Sequence, residues 1–182
     1  MSDNFPQCLI FTLGCEGGAF DDPRATFTDH GIQQDIYDDF CARREDWSSN
    51  DVRHLTAEEV STFYRIEYWQ VCNCDKLPKE IAMVVFDAAV NNGPGTSLKF
   101  LREAIGLPVD GDVSILIHWA NMVNALDACT KAIKARRAYD DNLNDPRYAQ
   151  GWKNRCDRLC RALGIDPKLT YASVPESTTE QQ

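Results

Sequence analysis

The sequence has few basic residues. Its 19 Lys and Arg stand against 28 Asp and Glu, which gives a formal net charge of −9 and an isoelectric point near 4.8. Proteins that bind the phosphates of nucleic acids need clustered Lys and Arg. The excess of acidic residues therefore argues against DNA or RNA as a partner. No basic residue precedes Arg24, and residues 1–6 are polar, so a secretory signal is not expected.

Long hydrophobic runs are also missing. The most apolar stretch, residues 81–90, is too short to span a bilayer and contains Asp87, so stable membrane insertion is not expected. A chain of 182 residues buries about 70% of its unfolded surface and needs no metal or disulfide to hold its core. We predict one domain over residues 1–165, a polar tail over 166–182, and a monomer.

Paired Cys-x-x-Cys units are absent, and the three histidines are scattered along the chain. A structural zinc site is therefore not expected, and neither a metal nor a cofactor is predicted. The eight cysteines are compatible with disulfides in an oxidising compartment or with free, buried thiols in a reducing one. We favour free thiols. Cys156 and Cys160 lie four residues apart on a predicted helix, which suits packing better than bonding to each other.

What is present is a mostly helical periodicity. The first predicted helix begins near Phe5 and ends near Glu16, where two glycines follow. Residues 19–54 are predicted to be irregular, with a small hairpin within 25–32. Thr56 and Glu59 form a capping-box pattern that predicts a helix continuing to Trp69. The segment Glu80–Val90 is apolar on nearly every face, which predicts a buried central helix.

Three more helices are predicted in the second half of the chain. One is capped by Thr96 and ended by Gly106, a long one runs from about residue 115 past Ile133, and the last extends from Tyr148 to Leu163. The Lys and Arg run at 131–137 is interpreted as a solvated helix end. The predicted fold is therefore mainly α, a bundle around a buried central helix with a small β-hairpin after the first helix.

Glu16 is the first candidate for chemistry because it lies where a helix ends. This end is the negative pole of the helix, which disfavours an ionised carboxylate and favours a proton on it. A carboxylic acid held in that form is what a general acid near neutral pH requires. The alternative is a solvated glutamate at a frayed helix end.

Polar and aromatic residues on the predicted helices are further candidates. Asp87 and Asn91 lie four apart on one face of the most apolar helix, where they form either a buried hydrogen-bond network or the floor of a cleft. Tyr64 and Trp69 are of the type that stacks on sugar rings, although aromatics at helical spacing also form cores.

Several motifs in order resemble one known family. They are Glu16-Gly17-Gly18, then Asp21-Asp22-Pro23, Thr28-Asp29-His30-Gly31-Ile32, Tyr68-Trp69, Phe86 to Pro94, Leu107 to Gly111 and Gly151 to Arg155. This order over about residues 5–163 resembles glycoside hydrolase family 108, the peptidoglycan-degrading N-acetylmuramidases with a lysozyme-like fold.

The resemblance implies roles for particular residues. It implies that Glu16 is the catalytic glutamate, that Thr28 is the hairpin threonine, and that Asp87 and Asn91 are a helix-borne polar pair. Cleavage of a sugar ether needs a proton for the leaving oxygen and a nucleophile or an activated water at the anomeric carbon. For the second task we favour Thr28 as the group that positions water, with the carboxylates of Asp21, Asp22 and Asp29 as alternatives.

The expected function is hydrolysis of the β-1,4 bond between N-acetylmuramic acid and N-acetylglucosamine. Without a signal sequence, we expect a phage endolysin made in the host bacterial cytoplasm that reaches the cell wall after a holin opens the membrane. The segment 23–27 is shorter than the family pattern, which supports a rival interpretation, an inactive peptidoglycan-binding protein of the same fold. A lytic transglycosylase is a third interpretation. Asp22, Tyr64, Trp69, Asp87 and Asn91 are the predicted substrate-binding residues.

Overall fold

The computed structural model describes residues 3–15, 31–44, 47 and 51–171, together with the backbone of residues 28 and 29. Within them the chain is mainly helical, as predicted, with the helices α1 (Phe5–Leu13), α2 (Gln34–Ala42), α3 (Ala57–Tyr64), α4 (Lys79–Asn92), α5 (Pro94–Ala104), α6 (Val113–Ala120), α7 (Ala125–Asn142) and α8 (Ala149–Ala162). Two antiparallel strands of two residues each, β1 (Thr28–Asp29) and β2 (Ile32–Gln33), form the hairpin expected after the first helix.

The chain forms two compact units, Met1–Lys99 and Phe100–Gln182, with the boundary inside α5. Shorter helical segments supplement the α-helices in both units. A π-helical segment, Arg65–Gln70, continues α3, and 3-10 helices occupy Val52–His54, Cys74–Lys76 and Pro167–Thr170. The first unit contains α1 to α4 and the hairpin, and the second contains α6 to α8.

The core of the first unit lies around α4. Its side chains from Ile81 to Ala89 are buried with the exception of Met83, which confirms the prediction of a buried central helix. Phe86 meets Phe5 of α1 and Trp69 edge to face, with ring centroids 5.7 and 5.6 Å apart. Such edge-to-face pairs add to the hydrophobic stabilisation and fix the packing of α1 on α4.

The capping box at the start of α3 is confirmed. The backbone N–H of Glu59 donates to Thr56 Oγ1 at 3.2 Å, and the backbone N–H of Thr56 donates to Glu59 Oε2 at 2.7 Å. Two N–H groups that the first turn leaves without helical acceptors are thereby bonded.

The irregular region predicted at residues 19–54 is wrong for residues 34–42, which form α2. The helix is anchored by only three buried side chains, Tyr37, Phe40 and Cys41, among acidic neighbours. Its apolar stripe is too short to stand out as a periodic pattern in the sequence. Contacts of Phe40 with Tyr37 and with Phe63 of α3 stabilise it instead.

The single long helix predicted from about residue 115 is also wrong, because the chain breaks it into α6 and α7. Asn121 ends α6 with its side-chain amide donating to the carbonyl of Ile117, and Asn124 caps α7 by accepting from the N–H of Asp127. Asparagine side chains compete for backbone groups in this way and favour helix ends. Trp119 and Met122, at the break between the two helices, are 49% and 70% exposed.

Two further predictions at helix ends need correction. Thr96 was predicted to cap α5 but lies inside its first turn, because the helix begins at Pro94. The fixed φ of proline suits the first position of a helix. In the charged run at 131–137, Lys131 and Lys134 are exposed as predicted, but Arg136 and Arg137 are buried. They are on the side of α7 that faces the core of the second unit, where Arg136 Nε lies 3.7 Å from Asp140 Oδ2.

Arg137 connects the last described segment to the second unit. Its guanidinium donates to Thr170 Oγ1 at 2.8 Å and to Asp157 Oδ1 at 2.5 Å, and it stacks 4.0 Å from the ring centroid of Tyr171. Thr170 is fully buried. Residues 166–171, predicted to be part of a polar tail, therefore pack on α7 and α8.

All eight cysteines are free, and seven of them are buried. This agrees with the interpretation as buried thiols. Burial raises the pKa of the Cys8 thiol to about 12, and desolvation likewise raises the pKa of Cys74 and Cys160. Among the described residues, no helix is long and apolar enough to cross a membrane.

Candidate active site

The end of α1 is the first element of the candidate site. The helix begins with Pro6 in its first turn and ends at Leu13, with the N–H of Gly14 donating to the carbonyl of Ile10 at 3.1 Å. The N–H of Cys15 then donates to the carbonyl of Thr12 at 2.9 Å. The backbone is therefore held by hydrogen bonds up to the residue that precedes Glu16 in the sequence.

Thr12 links this end of α1 to the central helix. Its Oγ1 donates to Oδ1 of Asp87 on α4 across 3.3 Å, and both side chains are 0% exposed. A buried carboxylate is costly unless it accepts hydrogen bonds, so this contact stabilises the packing of α1 on α4. The structure thus supports the buried-network interpretation of Asp87.

The sequence motifs do not single out Thr12. It lies on the buried face of α1 with Phe5, Cys8 and Leu9, at positions three or four residues apart. A polar residue at a position where helical periodicity requires an apolar one is a signal that it bonds to another buried polar group. Asp87 on the most apolar helix carries the same signal, and the two residues are partners.

Asn91 lies one turn after Asp87 and differs from it in exposure. Its side chain is partly exposed, and its Nδ2 donates to Asn92 Oδ1 at 3.2 Å. α4 ends at Asn92, and the residue that follows, Gly93, has a φ of +87°, which residues with a side chain rarely adopt. Of the helix-borne polar pair, Asn91 is the member that a bound molecule can reach.

The two aromatic residues predicted to bind substrate lie in the core. Tyr64 and Trp69 are each 1% exposed, and both contact Phe86 of α4 edge to face. The indole N–H of Trp69 donates to Asp75 Oδ1 at 2.7 Å. Neither ring has a free face for a sugar, so the structure gives both residues a packing role, as aromatics at helical spacing often have.

The remaining predicted residues are less fully described. Glu16, Asp21 and Asp22 lie outside the described residues. Thr28 pairs with Gln33, and Asp29 with Ile32, in the backbone ladder of the hairpin. Ile32 is 1% exposed, which anchors the hairpin to the first unit. Within the described ranges, no group of three or more His, Cys, Asp or Glu side chains is placed to hold a metal ion.

Two of three comparisons with known proteins give a match. The family model for glycosyl hydrolase 108 matches residues 9–93. The structure of SagA from Brucella abortus is similar, with a TM-score of 0.75 and 25% sequence identity over 88% of this chain and 94% of the SagA chain. The comparison with curated proteins finds no match.

The mainly α fold with its hairpin, together with these matches, defines a glycoside hydrolase with a lysozyme-like fold. More specifically, residues 9–93 match the family model of glycosyl hydrolase 108, which confirms the resemblance identified from the sequence. The matched segment includes the hairpin and the parts of α1 and α4 that carry Thr12, Asp87 and Asn91. The family indicates peptidoglycan as the substrate.

Proposed function

We propose that the protein is an N-acetylmuramidase that hydrolyses the β-1,4 bond between N-acetylmuramic acid and N-acetylglucosamine, with Glu16 as the general acid. The observation that carries this proposal is the contact between Thr12 and Asp87, which lies within the matched domain. It holds the last turn of α1 on the central helix, and Glu16 lies three residues after Leu13, the last residue of α1, in the sequence.

The chemistry requires two functional groups. Glu16 would protonate the leaving oxygen of the sugar ether, and a second group would direct water or attack the anomeric carbon. We assign the second task to the hydroxyl of Thr28, which would position water and give inversion. The carboxylates of Asp21, Asp22 and Asp29 are the alternatives, and one acting as nucleophile would give retention.

Substrate contacts are proposed for Asp22 and Asn91. Asp22 follows Glu16 closely in the sequence, and Asn91 is the partly exposed amide on α4. An amide side chain both donates and accepts hydrogen bonds, which suits an N-acetyl group. Asp87 is fully buried and is not proposed to touch the substrate. Its role is to fix the position of α1 through its hydrogen bond with Thr12.

We further propose that the enzyme is a phage endolysin, made in the cytoplasm of the host and admitted to the wall when a holin opens the membrane, and that it acts as a monomer. The net charge of −9 favours a Gram-negative wall as the target, because this wall is thin and carries no anionic teichoic acids. Repulsion between the acidic protein and anionic peptidoglycan slows their encounter at low salt. Clearing of Gram-negative cells should therefore rise with moderate salt. Activity that falls as salt rises would contradict this argument.

The proposal is tested by measuring turbidity clearing and released muropeptides with chloroform-permeabilised Gram-negative cells. Wild type should release fragments with reducing N-acetylmuramic acid ends. Glu16→Gln should be slower by the ~10²–10⁴ that general acid catalysis contributes. Glu58→Gln, at an exposed glutamate in the first turn of α3, is the matched control and should keep full activity. Circular dichroism confirms that both variants are folded.

The outcomes separate the three interpretations. Clearing by a folded Glu16→Gln variant at the wild-type rate would refute the role of Glu16. If wild type and variant both bind the wall and neither clears cells, the protein is a binding protein rather than an enzyme. Mass spectrometry distinguishes hydrolysis from transglycosylation, because the anhydro product of a transglycosylase is lighter by one water.

A further inference from the structure

The carboxamide of Gln34 joins α2 to a segment 18 residues later in the chain. Gln34 is the first residue of α2 and follows β2 directly. Its Oε1 accepts the backbone N–H of Val52 at 2.9 Å, and its Nε2 donates to Oδ1 of Asp38, one turn later on the same helix, at 2.8 Å. The side chain therefore uses one end of its amide on a distant backbone and the other end on its own helix.

The bond to Val52 fixes the start of the 3-10 helix Val52–His54. A residue at the start of a helix has an N–H without an acceptor in that helix, and Gln34 supplies the acceptor from α2. The next N–H, that of Arg53, donates to the side chain of Asp51 at 3.0 Å. The side chain of Val52 is 0% exposed. Apolar packing and a directional bond from α2 together hold this short helix in place.

The 3-10 helix lies beside β1, the strand that carries Thr28. Cα atoms of the two elements come within 8 Å of each other. β1 has only two residues, which pair with Gln33 and Ile32 of β2. A two-stranded hairpin has marginal stability by itself and needs another element packed against it. The 3-10 helix is such an element, so its position influences the position of β1.

Gln34 is thus connected to Thr28 by two routes. Along the chain it follows Gln33, the cross-strand partner of Thr28. Through space its Oε1 holds Val52, and the 3-10 helix lies beside β1. Substitution of the Gln34 side chain breaks the second route and leaves the first intact. A displacement of about 1 Å in a group that orients a reactant can lower a rate by about 10²-fold.

We propose that Gln34 is a positioning residue for hydrolysis, because its hydrogen bond to Val52 fixes the 3-10 helix beside β1 and so the place of Thr28. The inference rests on the proposed function, in which the hydroxyl of Thr28 directs water. Gln34 acts through the backbone of β1 and does not touch the substrate. Asn91 on α4, which is proposed to contact the substrate, has no part in this connection, so Gln34 affects kcat rather than KM.

The first test measures the release of reducing ends from purified Gram-negative sacculi over a range of sacculus concentrations. Gln34→Ala should lower kcat by about tenfold and should leave KM within about twofold of wild type. Gln34→Glu keeps an acceptor for the N–H of Val52 and loses only the donor to the exposed Asp38. It should therefore retain about half of the wild-type kcat or more.

Gln150→Ala is the matched control. Gln150 also donates to a side chain four residues later, Asn154 at 2.9 Å, and in the described part of the chain it makes no hydrogen bond outside α8. Its removal should change kcat by less than about twofold. Circular dichroism verifies that each variant is folded. If Gln34→Ala does not fold, Gln34→Met, which has a similar length and no amide, takes its place.

A double-mutant cycle separates positioning from a general loss of structure. Thr28→Val removes the hydroxyl and should lower kcat by about 10²-fold. In the Thr28→Val background, Gln34→Ala should lower the remaining rate by less than about twofold, because no hydroxyl is left to be placed. A further loss of about tenfold would mean that the two effects add and that Gln34 does not act through Thr28.

Backbone NMR provides a readout that does not depend on turnover. Gln34→Ala should shift the amide resonances of Thr28 and Asp29, and Gln150→Ala should leave them unchanged. Three results would overturn the inference: a wild-type kcat in folded Gln34→Ala, additive losses in the cycle, or unchanged resonances of β1. Full activity of Thr28→Val, or no release of reducing ends by wild type, would instead refute the proposed function. The resonances would then still decide whether Gln34 fixes β1.

Discussion

Thr12 Oγ1 of α1 and Asp87 Oδ1 of α4 form a hydrogen bond of 3.3 Å with both side chains fully buried. The surrounding contacts between the two helices are apolar, with Phe5 packed against Phe86. Apolar contacts tolerate small sliding and rotation of a helix, whereas a hydrogen bond is satisfied in one arrangement only. The pair therefore specifies how the end of α1 is seated on the central helix.

Thr12→Val tests this contact because valine has the shape of threonine without the hydroxyl. We expect the free energy of unfolding to fall by about 1–3 kcal/mol, the usual range for a buried acceptor that loses a donor. Thr12→Ser keeps the hydroxyl and should restore most of the loss. Urea denaturation followed by circular dichroism measures both.

Thr130→Val is the control for the same chemical change at a partly exposed site. Its hydroxyl donates only to the carbonyl of Leu126 in its own helix, so the change in unfolding free energy should stay within about 0.5 kcal/mol. An equal loss in Thr12→Val and Thr130→Val would show that the contact with Asp87 contributes nothing specific.

The capping box of α3 predicts a pH dependence of stability. Hydrogen bonds from the backbone and side chain of Thr56 lower the pKa of Glu59 from its ordinary value of 4.5. Because the folded pKa is the lower one, the stabilisation is full above about pH 4.5 and is lost as the pH falls through the folded pKa. Glu59→Gln should cost about 0.5–1 kcal/mol at pH 7.

The measurement is the difference in unfolding free energy between wild type and Glu59→Gln as a function of pH. The difference should be constant above pH 5.5 and should shrink below pH 4. Glu58→Gln, at the exposed neighbouring position, should show no such trend. A difference that grows towards low pH would have the wrong sign for this mechanism.

Thiol labelling separates the one partly exposed cysteine from the seven buried ones. Burial holds the pKa of Cys8 at about 12 and raises the pKa values of Cys41, Cys74 and Cys160, so their reactive thiolates are scarce at pH 8. Brief exposure of the native protein to iodoacetamide should modify Cys15 and leave the others unmodified. Peptide mass mapping checks the site, and the unfolded protein should take eight labels. Rapid native labelling of Cys8 would contradict the burial of α1.

Arg137→Ala should release the segment around Thr170 from the second unit. The variant loses the contacts of the guanidinium with Thr170, Asp157 and Tyr171 and leaves a buried network incomplete, which costs about 2–4 kcal/mol. We also expect faster proteolytic cleavage near residues 167–171. Calorimetry and limited proteolysis measure the two effects.

Arg161→Ala provides the comparison, because Arg161 lies 3.9 Å from the same aspartate, Asp157, but is 66% exposed. An exposed ion pair contributes about 0–1 kcal/mol, so this variant should be close to wild type in stability and in cleavage rate. Similar behaviour of the two arginine variants would mean that Arg137 acts only as a surface charge.

The sequence by itself determined the elements whose signals are local. The capping box at Thr56 and Glu59, the unbroken apolar character of α4, and the end of the last helix near Leu163 each depend on residues within a few positions of one another. The ordered motifs also identified the hydrolase family over the segment that the family model matches.

Only the tertiary structure decided which polar and aromatic residues face the core. Helical spacing places Tyr64 and Trp69 on a face, but the packing of Phe5 and Phe86 against that face buries it. The same holds for Arg137, which the sequence predicts to be solvated. In the structure it is buried and donates hydrogen bonds to Thr170 and Asp157, which belong to other segments. Such partners lie tens of residues away, and for Thr12 and Asp87 the separation is 75 residues. Whether a helix face is buried depends on which distant segment packs against it. A local sequence pattern carries no information about that segment.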